Sequence, residues 1–128
     1  MGILIHGDSS IIGKGVVYEA MQMQDLFDYT VGGTIHIVAN NGIGGDVPSE
    51  ETRTSNHCTD VAELVAAPVL HVNSYAPEEV DWVSRFAADY RQNFSKDVFL
   101  DIIGFRRYGR NEIEDGSVNN PMRYKKIG

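Results

Sequence analysis

Apolar residues along this chain gather in four short runs, 3–6, 34–39, 69–72 and 98–105, rich in isoleucine and valine and with little apolar–polar alternation. Parallel strands buried on both faces read this way, whereas a half-exposed strand alternates. Between the first two runs a helix is predicted over 13–27, with Val17, Ala20, Met21 and Phe27 on one face. Between the third and fourth, Pro77-Glu78-Glu79 supplies a proline start and an acidic first turn. Val80, Val83, Ala87, Tyr90 and Phe94 then form an apolar face. A shorter helix is predicted to start at Asp60, its carboxylate as cap and Glu63 three residues on. The order of strands and helices predicts an α/β fold, an open and mainly parallel sheet with helices on both faces. The longest interruption, 40–59, opens with Asn40-Asn41-Gly42-Ile43-Gly44-Gly45-Asp46, and loops of that length are commonly functional.

Composition narrows the function. The 128 residues carry 11 basic and 18 acidic side chains, a net charge of -7, which argues against a general nucleic-acid binder. From Arg106 onward there are six basic and three acidic residues, leaving a net -10 before it, so the cationic end suits an anion or a subunit surface. No apolar run has the length of a membrane span. Met1-Gly2 leads straight into the first strand, so no targeting segment is expected in this chain. A single cysteine, Cys58, excludes an internal disulfide and a multi-cysteine zinc site.

The segment Gly7-Asp8-Ser9-Ser10-Ile11-Ile12-Gly13-Lys14-Gly15 lies between a strand and a helix, where open sheets bind phosphates. It is not a Walker A loop, because one residue too many separates Gly7 from Gly13 and Gly15 stands in place of the metal-binding hydroxyl. Nor is it a dinucleotide fingerprint, since the third glycine is missing. An ordinary turn and an anion or metal site both remain open. Asp8 and Asn40-Asn41 follow strands, hence share one sheet edge if those strands are neighbours. One carboxylate, one amide oxygen, one backbone carbonyl and a diphosphate complete an octahedron around Mg²⁺. Asn-Asn-Gly is also good turn chemistry with no ligand. His6, His36, His57 and His71 show no metal-ligand spacing and are read as structural. Cys58 beside His57 is not read as a nucleophile and base, because adjacent residues in an extended chain point apart.

Taken in order, His6-Gly7-Asp8, the stretch Gly13 to Glu19, Gly33-Thr34-Ile35-His36-Ile37-Val38-Ala39-Asn40-Asn41, Cys58-Thr59-Asp60, Ala67-Pro68-Val69-Leu70-His71-Val72-Asn73 and Phe105-Arg106-Arg107-Tyr108-Gly109-Arg110-Asn111-Glu112 resemble an internal stretch of the E1 component of 2-oxoglutarate dehydrogenase. That family uses thiamine diphosphate. The resemblance covers nearly the whole chain and implies that Asp8, the Asn41 side chain and the Ile43 backbone carbonyl bind Mg²⁺. Ser9 would join them in holding the cofactor. Asp8 and Asn41 stand 33 positions apart, as the family's motif requires. The chain departs from the family pattern at Gly42 to Val47, where the family usually has Gln, then Ile or Val, then Gly-Phe-Thr-Thr, and at Arg110, in place of histidine.

The resemblance further implies that 1–128 is a single, partial diphosphate/Mg²⁺-binding domain. The complete enzyme would decarboxylate 2-oxoglutarate oxidatively and pass the succinyl group to a lipoyl domain of an E2 component. It would work as a homodimer, with neither nucleic acid nor membrane as partner, in the mitochondrial matrix of a eukaryote or the cytoplasm of a bacterium. A 2-oxoadipate dehydrogenase E1 and a truncated, inactive interaction module are the alternatives. No catalytic residue is assigned.

Overall fold

The computed structural model describes residues 1–44, 47–106, 117 and 121–127. Four parallel strands form the sheet: β1 (Gly2–Gly7), β2 (Thr34–Asn40), β5 (Val69–Asn73) and β6 (Val98–Ile103), in the spatial order β1-β2-β6-β5. Each predicted strand is present, with ends shifted by at most two residues. The interruption between β2 and β5 holds a two-stranded hairpin, β3 (Ile43–Gly44) with β4 (Val47–Pro48), the short helix α3 (Ser49–Thr52) and a 3-10 helix, Cys58–Val65. The helix at Asp60 therefore begins two residues earlier than its carboxylate suggests. Asp60 sits inside the first turn, and its Oδ2 accepts from the His57 backbone N–H at 3.0 Å.

The helix predicted over 13–27 is divided. α1 spans Asp8–Gly13, Lys14 is extended (φ -110°, ψ 114°), and α2 runs only over Gly15–Met23. Flanking glycines make Lys14 the cheapest place to break, because they stabilise helix least and adopt other conformations most freely. Met21 is buried and Val17 packs beside it, but Ala20 and Phe27 are exposed, Phe27 by 95%. Phe27 lies past the end of α2, so it shares no helical face. α4 (Pro77–Phe94) begins at the predicted proline, with Val83 and Ala87 buried and Val80 and Tyr90 packed against them. Phe94 is the exception, exposed at the helix end with its ring 4.9 Å from Tyr90.

Alternate residues of the central strands feed two separate cores. Val38 and Phe99 pack with Ile11 of α1, Met21 of α2 and Cys58, Val61 and Ala62 of the 3-10 helix. Ile35, Val98 and Leu100 face the other way and meet Val83 and Ala87 of α4. Helices thus cover both faces of the sheet, as the uninterrupted apolar runs require. Gly33 enters β2 at φ +86°, and a Cβ there would lie 2.4 Å from the Lys96 carbonyl oxygen, so only glycine lets the chain pass β6 this closely. α5 (Pro121–Ile127) brings Tyr124 within 6.3 Å, edge to face, of the Phe105 ring. The Gly109-Arg110-Asn111-Glu112 segment lies outside the described residues, as do Gly45 and Asp46.

Cover is incomplete over β1. Ile3, Leu4 and Ile5 are 51%, 48% and 75% exposed on a strand paired only with β2 among the described residues. Apolar edge strands invite pairing with another chain. The isolated chain is expected to self-associate at micromolar concentration despite its acidity, and a compact monomer in sedimentation would contradict this.

A row of polar side chains links His6 of β1 and His36 of β2 to Asp97, just before β6. His36 Nε2–H donates to Asp97 Oδ2 at 3.2 Å, and His6 Nε2–H donates to His36 Nδ1 at 3.1 Å. Burial first, and His36 second, lower the His6 pKa from its ordinary 6.5. The neutral form is therefore the one the fold favours. Its contribution is complete above the unfolded value and is lost as pH falls through the lower folded one. The urea midpoint should drop on going from about pH 7.5 to about pH 5, less steeply in His6→Gln, which keeps the donor and loses the titration. Equal pH slopes in the two proteins would exclude His6 as the cause.

Candidate functional site

Parallel strands bring their carboxyl ends to one edge. In the β1–β2 register Gly7 lies opposite Ala39, so Asp8 and the Asn40-Asn41 pair emerge side by side. Asp8 opens α1 with its side chain only 6% exposed, and Ser9 follows it in the same turn. An acidic residue suits that position because the backbone N–H groups of a helix start point toward it. Gly42 has φ +67°, the left-handed conformation that turns the chain from β2 into β3, where Ile43 begins. α1 lies against β3. The fold therefore gathers Asp8, Ser9, Asn41 and Ile43 at one end of the sheet.

Two asparagines there have different surroundings. Asn40 is buried and serves the scaffold: its Nδ2 donates to Asp101 Oδ1 at 3.1 Å, and its Oδ1 accepts from the Gly42 N–H at 3.1 Å. Asn41 is half-buried, with Oδ1 about 4.0 Å from where a Cβ on Gly104 would stand. The Gly104 N–H donates to the Asn40 carbonyl at 2.8 Å, and the Ser74 N–H to the Ile103 carbonyl at 2.9 Å, which locks the ends of β2, β6 and β5 to one another.

Beneath this edge lies a charged neighbourhood. Burial first, and then the Asp101 carboxylate with a smaller part from Asp8, push the Cys58 thiol up to about 12 against the opposing Arg53 guanidinium. A thiol held so strongly in its neutral form is inert as a nucleophile. The exclusion of a Cys58–His57 pair is thereby supported on electrostatic grounds. Arg53 Nε is buried with no hydrogen-bond partner among the described residues, a donor suited to an anion. A carboxylate, an amide oxygen and a backbone carbonyl at one edge, with a guanidinium close by, are the donor set of a hard cation paired with a phosphate group. These residues fit Mg²⁺ and a diphosphate in chemistry.

Asp101 is the residue that sequence reasoning missed. It is fully buried in the middle of β6 and accepts from His71 Nδ1–H at 2.8 Å as well as from Asn40. One signal was present, a lone carboxylate inside an otherwise apolar run, which is costly unless partnered.

The model of the dehydrogenase E1 component family matches residues 1–128. The oxoglutarate dehydrogenase of Buchnera aphidicola subsp. Baizongia pistaciae is 48% identical over 126 residues, 98% of this chain and 14% of that relative. The mitochondrial 2-oxoglutarate dehydrogenase of Dictyostelium discoideum is 44% identical over all of this chain and 13% of its own length. The 2-oxoglutarate dehydrogenase E1 component of Haemophilus influenzae is 43% identical over 99% of this chain and 14% of its own. The chain thus spans 13% to 14% of these relatives. With a full-length family match and three such relatives, the chain belongs to the dehydrogenase E1 component family.

Proposed function

We propose that this chain holds the Mg²⁺–diphosphate end of thiamine diphosphate, as one part of the E1 component of a 2-oxoglutarate dehydrogenase. The observation that carries the proposal is the adjacency of β1 and β2, which ends Asp8 and Asn41 on one sheet edge. Asp8 would contribute an anionic oxygen, Asn41 its amide oxygen and Ile43 its backbone carbonyl, and Ser9 would join them in holding the cofactor. Asn40 and Asp101 hold the turn that presents Asn41 and Ile43. When bound, thiamine diphosphate supplies a nucleophilic thiazolium carbon and a cationic ring that takes up the electron pair left by decarboxylation. This chain's own residues would anchor and orient the cofactor.

The complete enzyme would oxidatively decarboxylate 2-oxoglutarate and transfer the succinyl group to the lipoyl domain of an E2 component, as a homodimer in the bacterial cytoplasm or the mitochondrial matrix. Among the described residues no helix is long and apolar enough to cross a membrane. In this reading 1–128 is one partial domain, and the pyrimidine-binding half of the site lies elsewhere in the protein.

Calorimetry on the full-length protein that contains this chain is expected to show saturable thiamine diphosphate binding with Mg²⁺ and none with the metal chelated. Equal binding in both conditions would contradict the assigned ligands. The isolated chain is expected to give no turnover of 2-oxoglutarate with an artificial electron acceptor. Robust turnover by the pure 128-residue chain would show the half-site argument to be wrong.

A further inference from the structure

Around the missed carboxylate of Asp101 the fold assembles a second set of donors, distinct in chemistry from the hard oxygen set at Asp8. His71 of β5 and Asp101 of β6 are opposed in the parallel register. His57, which precedes the 3-10 helix, brings its ring to 4.3 Å from the His71 ring. One donor atom from each of His57, His71 and Asp101 lies within 4.8 Å of the other two. Two imidazoles and one carboxylate form the three-ligand set by which proteins hold Zn²⁺ with a coordination position left open.

We propose that His57, His71 and Asp101 form a Zn²⁺ site. Three observations favour a metal over a plain hydrogen bond. Asp101 is fully buried, so a bound cation offsets a charge that is costly to hold in the interior. Its other oxygen accepts from Asn40, which fixes the carboxylate as outer partners of metal ligands commonly do. The two imidazoles are exposed enough to be reached, and His71 also lines a cavity of about 430 Å³ with Asn73, Tyr75 and Gly104, where water can fill the remaining position. The exposed His57 ring closes the gap to the ~3.5 Å expected between ligands of a tetrahedral ion. On binding at Nδ1, the proton that His71 Nδ1 donates to Asp101 is exchanged through solvent to Nε2, so the imidazole stays neutral and the metal takes the place of that proton beside the carboxylate. Cys58, adjacent in sequence, takes no part, because its side chain is packed into the core with Ile11, Val61 and Ala62. The bound ion clamps the start of the 3-10 helix to β5 and β6.

The test is calorimetric titration of Zn²⁺ into the purified chain, with the thermal transition followed in parallel. One equivalent is expected to bind and to raise Tm, since a ligand that binds only the folded state stabilises it. His57→Ala, at an exposed position, should fold unchanged, lose the Tm rise and weaken Zn²⁺ binding by more than ~10-fold, the least that even outer partners of metal ligands contribute. Cys58→Ser and Asp8→Ala should leave Zn²⁺ affinity unchanged, and His57→Ala should leave thiamine diphosphate binding to the full-length protein unchanged. Failure here is thereby kept separate from failure of the Mg²⁺ assignment. Co²⁺ in place of Zn²⁺ should give visible bands with no thiolate charge transfer in the near ultraviolet. Unaltered affinity in folded His57→Ala, or a thiolate band lost in Cys58→Ser, would overturn the proposal.

Discussion

Asp8→Ala, made in the full-length protein, is expected to abolish Mg²⁺-dependent binding of thiamine diphosphate. The other two protein ligands are neutral oxygens, so Asp8 alone among the three supplies charge to the metal. Without it, a divalent cation and a diphosphate are held at the sheet edge with no anionic protein ligand, and a hard cation then prefers water. Affinity should fall by more than ~100-fold, above the range for residues that merely support metal ligands. Asp8→Asn separates charge from shape: it keeps an oxygen and the helix start, and should still bind far more weakly than the wild type. Asn41→Ala removes a neutral ligand and should cost less than either. Unchanged affinity in a folded Asp8→Ala protein, measured by calorimetry, would remove Asp8 from the metal site.

Phe99→Ala should have the largest effect on stability. Phe99 is fully buried near the start of β6, where it packs with Ile11, Met21 and Val38 and stacks on the His36 ring at 4.3 Å and 6°. Truncating such a ring costs about 3–5 kcal/mol, from lost transfer energy and from the cavity left behind. That is a large share of the ~5–15 kcal/mol by which domains are stable. The consequence reaches the site, because the same core seats α1, which begins at Asp8, and the 3-10 helix, which begins beside His57. Urea unfolding gives the number directly. A loss below ~1 kcal/mol would mean that this face of the sheet is not packed as described.

Elements whose signal is local were legible in the sequence, and contacts between elements were not. The strands declare themselves by β-branched apolar runs without alternation, although only β2 and β6 are largely buried and β1 stays exposed, and α4 declares itself because proline and two glutamates mark its start. The division at Lys14 was missed because the apolar spacing from Val17 onward continues a helix on paper, while Gly13 and Gly15 weaken it. Phe27 and Phe94 were assigned to buried faces on spacing alone, yet both stand where the helix or its cover ends. The Asp101 network escaped notice for a different reason. Its partners Asn40 and His71 lie 61 and 30 positions away and meet it only because β6 inserts between β2 and β5. Asp8 and Asn41 were singled out as weak turn residues by their chemistry. Their 33-position spacing gains meaning from the family resemblance and from β1 and β2 being neighbours.

The central claim is that one sheet edge holds the metal–diphosphate end of the cofactor, and locating the metal tests it most directly. Crystals of the full-length protein grown with thiamine diphosphate and Mn²⁺ in place of Mg²⁺ would reveal the ion by its anomalous scattering. The account predicts a peak bounded by the Asp8 carboxylate, the Asn41 amide oxygen and the Ile43 carbonyl, with diphosphate oxygens completing the shell. A cofactor-bound ion that touches none of these three residues would contradict it.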